Sequence, residues 1–272
     1  MLVASAGNDK TVKLWNAATG ECVRTLAGHD GSVNCCVFSR NGETLLSCSR
    51  DGTLKFWSTS TGECILTLEG HRDSVTCCAF SPNGQQILSA SYDMTLMLWD
   101  AATGECIRTF NGHTGWVQGC CFSPCGATVL SCSDDKSLRL WRTSTGGTCI
   151  RRLRGHTEFV MCCAFSPEGS TIVSASWDNT LKLWSAETGA CQHTLSGHGG
   201  VVYGCAFNPC GVTLLSVSND KMLKLWSLAT GECLQTLEGH GDTVAGCAFS
   251  HDGRMIVSAS SDSSLKLWTL SA

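Results

Sequence analysis

Several things that would fix a different class of protein are scarce in this sequence. Proline occurs four times and tyrosine twice in 272 residues, charged side chains make up only 15%, and no apolar run approaches the ~18 residues a membrane-crossing helix needs. The charge balance of 19 basic against 23 acidic side chains leaves no global field that would draw the chain to a phosphate backbone or an anionic lipid surface. Neither a Gly-x-x-x-x-Gly-Lys loop nor a strand-to-helix Gly-x-Gly-x-x-Gly turn is present, which removes the common phosphate cradles. There is no Cys-x-x-Cys pair, no Asn-x-Ser/Thr acceptor and no charged-then-apolar leader at the start. The 20 cysteines are therefore expected to be reduced thiols serving as small buried hydrophobes, and the protein to be cytoplasmic or nuclear.

Against these absences stands a strong internal period. Gly-His recurs at His29, His71, His113, His156, His198 and His240, and tryptophan at Trp15, Trp57, Trp99, Trp141, Trp184, Trp226 and Trp268. One unit reads Gly70-His71, Ser74-Val-Thr-Cys-Cys-Ala-Phe80, Ser81-Pro-Asn-Gly84, Ile87-Leu-Ser-Ala-Ser91, Asp93, Thr95-Leu-Met-Leu-Trp99, Thr103-Gly-Glu-Cys106. Its short apolar runs are separated by turn chemistry: Pro presets φ in Ser-Pro-x-Gly, and Gly supplies freedom in Thr-Gly-Glu-Cys. Helical spacing is absent. Each unit predicts four short strands, here called a to d, which cannot bury both faces alone and must stack on neighbouring units.

These residues resemble the WD40 repeat family along essentially the whole chain. Only Trp99-Asp100 keeps the name-giving dipeptide; the other tryptophans are followed by Asn16, Ser58, Arg142, Ser185, Ser227 or Thr269. The resemblance implies an all-β WD40 β-propeller and, in each unit, a structural tetrad of His, Ser from strand b, Asp from the b–c turn and Trp from strand c. The six sets are His29/Ser47/Asp51/Trp57, His71/Ser89/Asp93/Trp99, His113/Ser131/Asp135/Trp141, His156/Ser174/Asp178/Trp184, His198/Ser216/Asp220/Trp226 and His240/Ser258/Asp262/Trp268. Ser5, Asp9 and Trp15 form a seventh that lacks its His. The Ser, His and Asp of each set are not read as a catalytic triad, because a nucleophile needs one specially aimed base and an oxyanion site, whereas this set repeats along the chain.

Counting strands gives b-c-d at the start, five complete sets, and a-b-c at the end. The expectation is one domain over residues 1–272, with seven blades of four-stranded antiparallel sheets and an incomplete seam. A six-blade ring is the runner-up, with residues 22–27 closing the last blade. A further possibility is that Met1, in the stretch corresponding to Arg254-Met255-Ile256-Val257 of the last unit, is an internal residue of a longer chain.

Positions that vary between units are the ones free to carry individual recognition. Most aromatics occupy the strand-c Trp and strand-a Phe positions; Tyr92, Trp116, Phe159, Trp177 and Tyr203 do not. They fall just after Gly-His, early in strand a, or just before the tetrad Asp, on one expected face of the ring. The resemblance makes that face, at the mouth of the central channel, the usual peptide-binding surface. The candidate partner-binding residues are Arg50, Tyr92, Trp116, Gln118, Asp134, Phe159, Met161, Trp177 and Tyr203: exposed aromatics with a few charges, the composition of a binding hot spot. The alternative is that these rings only pack on neighbouring blades.

Arg139, Arg142, Arg151, Arg152 and Arg154 cluster in strands c and d of one unit, where charge guards an edge strand against sheet-to-sheet pairing. Without interleaved aromatics they do not form a single-strand nucleic-acid platform. The thiols recur at fixed offsets; equivalent positions on different units cannot converge, and adjacent ones such as Cys77-Cys78 point to opposite faces, so no metal site is expected. Cys125 and Cys210 sit at turn positions and are expected to be exposed.

The reading is a non-catalytic, monomeric interaction scaffold without cofactors that binds a protein or peptide segment, and neither nucleic acid nor membrane. Its alternatives are a structural subunit whose open seam is completed by a partner strand and, behind that, a catalytic or small-ligand propeller.

Overall fold

The computed structural model describes residues 1–270. Strand formation follows the repeat, as the third unit shows. Its strands a to d are Val75–Phe80, Gln86–Ser91, Leu96–Asp100 and Cys106–Phe110. The a–b turn closes where Gly84 takes φ +72° and donates its N–H to the Ser81 carbonyl at 2.8 Å. The c–d turn closes likewise, with Gly104 at φ +75° donating to the Asp100 carbonyl. Strand b alternates Ile87, Leu88 and Ala90 with Ser89 and Ser91, all buried, so both of its faces lie inside protein. Strand d is the wet edge, with Cys106 and Ile107 exposed.

Seven such antiparallel sheets, the blades of a β-propeller, make an all-β protein. Five have four strands; the first has the order b-c-d and the last a-b-c. In the first sheet Leu2–Ala6, Thr11–Asn16 and Cys22–Ala27 pair in sequence, with Ala4 opposite Leu14 and Leu14 opposite Arg24. Residues 22–27 thus belong to the first sheet and residues 2–16 are paired beside them, which removes the six-blade reading. Among the described residues the one helical turn is Thr145–Gly147.

By contacts the chain divides into two compact units, one of Met1–Ser131 with Trp141–Cys149 and one of Cys132–Leu140 with Ile150–Ala272. Within the first, each pair of successive sheets traps its own apolar core. Val12, Leu14 and Leu26 meet Val33, Leu45 and Trp57; Leu46, Leu54 and Leu68 meet Val75, Ile87 and Trp99; Leu88, Leu96 and Phe110 meet Val117, Val129 and Trp141. The second repeats the scheme: Val173, Leu181 and Leu195 lie against Val202, Leu214 and Trp226, and Leu215 and Leu223 against Val244 and Ile256. A strand-c Trp is thus the large plug of most cores, and such aromatics dominate the burial energy.

Arginines of strand d clamp one sheet to the next. Arg24 donates to the carbonyls of Ser60 and Thr61, both at 2.7 Å, and Arg108 to those of Thr143 and Ser144. Arg151 does the same to the Thr188 carbonyl. Arg152 turns to Asp135 at 3.4 Å and to Ser137 Oγ at 3.0 Å. Two members of the arginine cluster therefore hold the fold as well as charging an edge.

Candidate functional site

The tetrads are built as expected. In the second sheet Trp57 Nε1–H donates to Ser47 Oγ at 2.7 Å, and His29 Nε2 lies 2.8 Å from the same oxygen. His29 Nδ1 lies 2.8 Å from Asp51 Oδ2. That carboxylate also accepts the Asp30 N–H at Oδ2 and the Thr53 N–H and Oγ1–H at Oδ1. The arrangement assigns a neutral imidazole with its proton on Nδ1, donating to Asp51 and accepting the Ser47 hydroxyl at Nε2. Burial pushes the His29 imidazole below its ordinary value despite Asp51. Burial alone would raise Asp51, but its hydrogen bonds from Thr53, His29 and Asp30 outweigh that and hold it at about 2.

Ser–His–Asp contacts of this kind have the order of a catalytic triad, and the surroundings are those of a brace. Ser47, Ser89, Ser174 and Ser216 are fully buried. Each accepts an indole N–H, so no lone pair is aimed at a space where a substrate could sit. The first sheet, which has no His, retains the Trp15-to-Ser5 bond at 2.8 Å and uses Lys13 on Asp9 at 2.7 Å instead, an ion pair that holds Asp9 at about 2. The glycine of each Gly-His also has a reason: at Gly28, φ is +152° and a Cβ would lie 3.2 Å from Trp57 Cη2.

Four of the five variable aromatics form two separate ring pairs, one in each compact unit. In the first, Tyr92 and Trp116 stack with centroids 4.3 Å apart and planes at 17°. Tyr92 is fixed by its N–H on the Ser74 carbonyl, and Trp116 remains 47% exposed. In the second, the Trp177 N–H donates to the Phe159 carbonyl at 2.9 Å, setting the two side chains together with centroids 5.3 Å apart and Trp177 42% exposed. Exposed Trp resting on a second ring is a rigid apolar platform with little ordering entropy left to lose.

Of the other candidates, Arg50 is exposed on the b–c turn of the second sheet, its N–H on the Ser32 carbonyl. Gln118 is half-buried on strand a, Val117–Phe122. In the second unit Asp134 is half-buried before Asp135, and Met161 and Tyr203 are half-buried on Val160–Phe165 and Val202–Phe207. The same backbone link that pairs Trp177 with Phe159 joins Asn219 to Val201 and Ser261 to Thr243, so the turn geometry is general and only the side chains differ.

The thiols require a correction. All 20 cysteines are free, and Cys125 and Cys210 are exposed as expected. Yet Cys35, Cys48 and Cys78 do converge, their sulfurs all within 4.8 Å of one another. Adjacent thiols indeed face opposite ways, but Cys35 and Cys48 are cross-strand partners in the second sheet and Cys78 reaches them from the third. These are inequivalent repeat positions, and the strand-b member carried the missed signal: Cys48 stands where the third sheet has Ala90. Burial pushes the Cys48 thiol well up; Cys78 is also raised, by Cys35 and then Cys48. Cys35, surrounded by the Cys48, Cys77 and Cys78 thiols, is pulled down.

Comparison with known proteins agrees with this architecture. The model of the family described as WD domain, G-beta repeat matches residues 20–58, 62–100, 104–142, 147–185, 189–227 and 231–269. The nuclear distribution protein PAC1 of Mycosarcoma maydis is 47% identical over 45 residues, 16% of this chain and 10% of that protein. PAC1 of Coprinopsis cinerea is 46% identical over 43 residues, 16% of this chain and 10% of that one. The nuclear distribution protein nudF 2 of Aspergillus clavatus is 49% identical over 47 residues, 17% of this chain and 11% of that one. The chain thus matches about a tenth of the length of these curated relatives, a stretch about one repeat long.

Proposed function

The chain belongs to the WD40 repeat family, and we propose that it is a non-catalytic scaffold that binds a protein or peptide segment through its exposed, ring-backed tryptophans. The observation that carries this reading is the pair of Trp116 on Tyr92 and Trp177 beside Phe159: aromatic side chains at positions where the other units carry Ser32, Ser74, Val201 or Thr243 and Asn8, Arg50, Asp134, Asn219 or Ser261. The scaffold needs none of these rings, since units without them fold with the same turn hydrogen bonds. Arg50 and Asp134 supply opposite charges for orienting a segment, with Gln118, Met161 and Tyr203 as further contacts. The partner is a protein segment met in cytoplasm or nucleus by a monomeric scaffold of one domain, without a cofactor. Buried serines that already accept indole N–H groups support the non-catalytic part of the reading.

The test is quantitative affinity capture from cell extract with wild type and with the Trp116→Ala/Trp177→Ala double variant, both first shown to be folded and monomeric. An Ile65→Ala variant, altered at an exposed apolar residue of a strand d, serves as the control. Specific partners lost by the double variant alone support the reading; an unchanged partner set refutes it.

One observation favours a second reading, in which a partner strand completes an open sheet. The last sheet ends on Leu265–Thr269, where Leu267 is 42% exposed while its counterpart Leu225 in the sixth sheet, with a fourth strand at its edge and the seventh sheet on its face, is 6% exposed. Protection of the Leu267 amide on partner binding, with the double tryptophan variant binding normally, would favour that mode.

A further inference from the structure

We propose that Cys35, Cys48 and Cys78 form a binding site for a trivalent thiophilic metalloid, taken up as a neutral tris-thiolate. Three sulfurs within 4.8 Å of one another need only small side-chain rotations to share one centre. The group contains no imidazole or carboxylate; it lies in the apolar core of Leu46, Leu54, Val75 and Val37, with the Cys77 thiol beside Cys35. A site of thiols alone selects soft centres. Charge then decides among them. Three thiolates around a monovalent or divalent ion would leave net negative charge in an apolar core, which is costly without a counter-ion. A trivalent centre leaves none.

With arsenite as the probe the chemistry balances: As(OH)3 and three thiols give As(SR)3 and three waters, each S–H proton leaving with one hydroxide. No oxidant or reductant takes part. Cys35, the half-buried member, is the one an incoming species meets first and makes the first As–S bond; Cys78 and the fully buried Cys48 close the site.

Cys48 is the residue to change. Strand b carries Ala90, Ala175, Val217 or Ala259 at this position in four other sheets and Cys132 in the fourth, so Cys48→Ala restores what the repeat tolerates. Reduced wild type, Cys48→Ala and a Cys64→Ala control at an exposed thiol would be incubated anaerobically with arsenite, then examined by intact native mass spectrometry and thermal unfolding. Wild type and Cys64→Ala are expected to hold one more arsenic bound with loss of three thiol protons than Cys48→Ala does, and to gain more in Tm, since a ligand bound only by the folded state stabilises it. Equal tris-thiolate counts in wild type and Cys48→Ala would overturn the proposal, as would uptake of zinc but not arsenite by the wild type at these residues.

Discussion

Tyr92 and Trp116 lie ring on ring at 4.3 Å although their backbones belong to different sheets, and Trp116 still shows 47% of its surface to solvent. Trp57, by contrast, is 1% exposed and spends its indole N–H on Ser47. Two tryptophans of one chain are thus used in opposite ways, one as a buried brace and one as an exposed platform.

Trp57→Ala should cost about 3–5 kcal/mol, since it opens a cavity in the core between the first two sheets and removes a donor from a buried hydroxyl. Trp57→Phe, which keeps much of the volume, should cost less. Trp116→Ala should cost about 1 kcal/mol or less, the scale of one partly exposed ring contact. Urea unfolding of the three variants checks the order, and equal losses would contradict the separation between brace and platform.

Stability should fall in acid in two stages. Burial lowers the pKa of His29 and of His198, so the unfolded chain takes up their protons more readily than the folded one. Their contribution is complete above an ordinary imidazole pKa of about 6.5 and is lost as pH drops from there. Asp51 and Asp9 are held at about 2, so their contribution is complete above about pH 4 and is lost as pH falls through about 2. Tm measured from pH 8 to pH 2 should show both declines. Lys13→Met, which removes the largest influence on Asp9, should soften the second.

Met94 follows the tetrad Asp93 with φ +68°, where a side chain is strained, and the same turn of the second sheet uses Gly52 at +85°. Met94 is 44% exposed, so little packing is lost with it. Met94→Gly is expected to stabilise by about 0.5–1 kcal/mol, less than the full relief because glycine also loosens the unfolded chain. Thermal unfolding decides it; a lower Tm would mean that the methionine packs better than its exposure implies.

Arg24 reaches two carbonyls of the next sheet, while the corresponding place in the second sheet holds Leu66, packed on Gly104. Gly62, beneath Arg24, has φ +82° and a Cβ position 2.6 Å from the arginine Cδ. Gly62→Val should therefore destabilise by about 2 kcal/mol or more through clash and backbone strain together, whereas Arg24→Leu should cost less than about 1 kcal/mol. Chemical denaturation of both variants separates the two effects.

The repeat period of 42 or 43 residues, the turn glycines and the alternation of small and branched residues determined the strands and the tetrads, because each depends on chemistry local to one unit. That residues 22–27 join a seventh sheet, rather than closing the last one, was decided by strand pairing, which leaves the first sheet without strand a and the last without strand d. The variable aromatics were legible as exceptions to the repeat, but their pairing was not. The turn hydrogen bond that unites Trp177 with Phe159 sets Tyr92 beside Ser74, and Tyr92 finds its ring partner in the next sheet. The convergence of Cys35, Cys48 and Cys78 was likewise decided by the tertiary structure, Cys48 in the place of Ala90 being its trace in the sequence. Sequence arithmetic compares equivalent positions, whereas the contact surface of two stacked sheets brings together inequivalent ones: strands a and b of one sheet against strand a of the next.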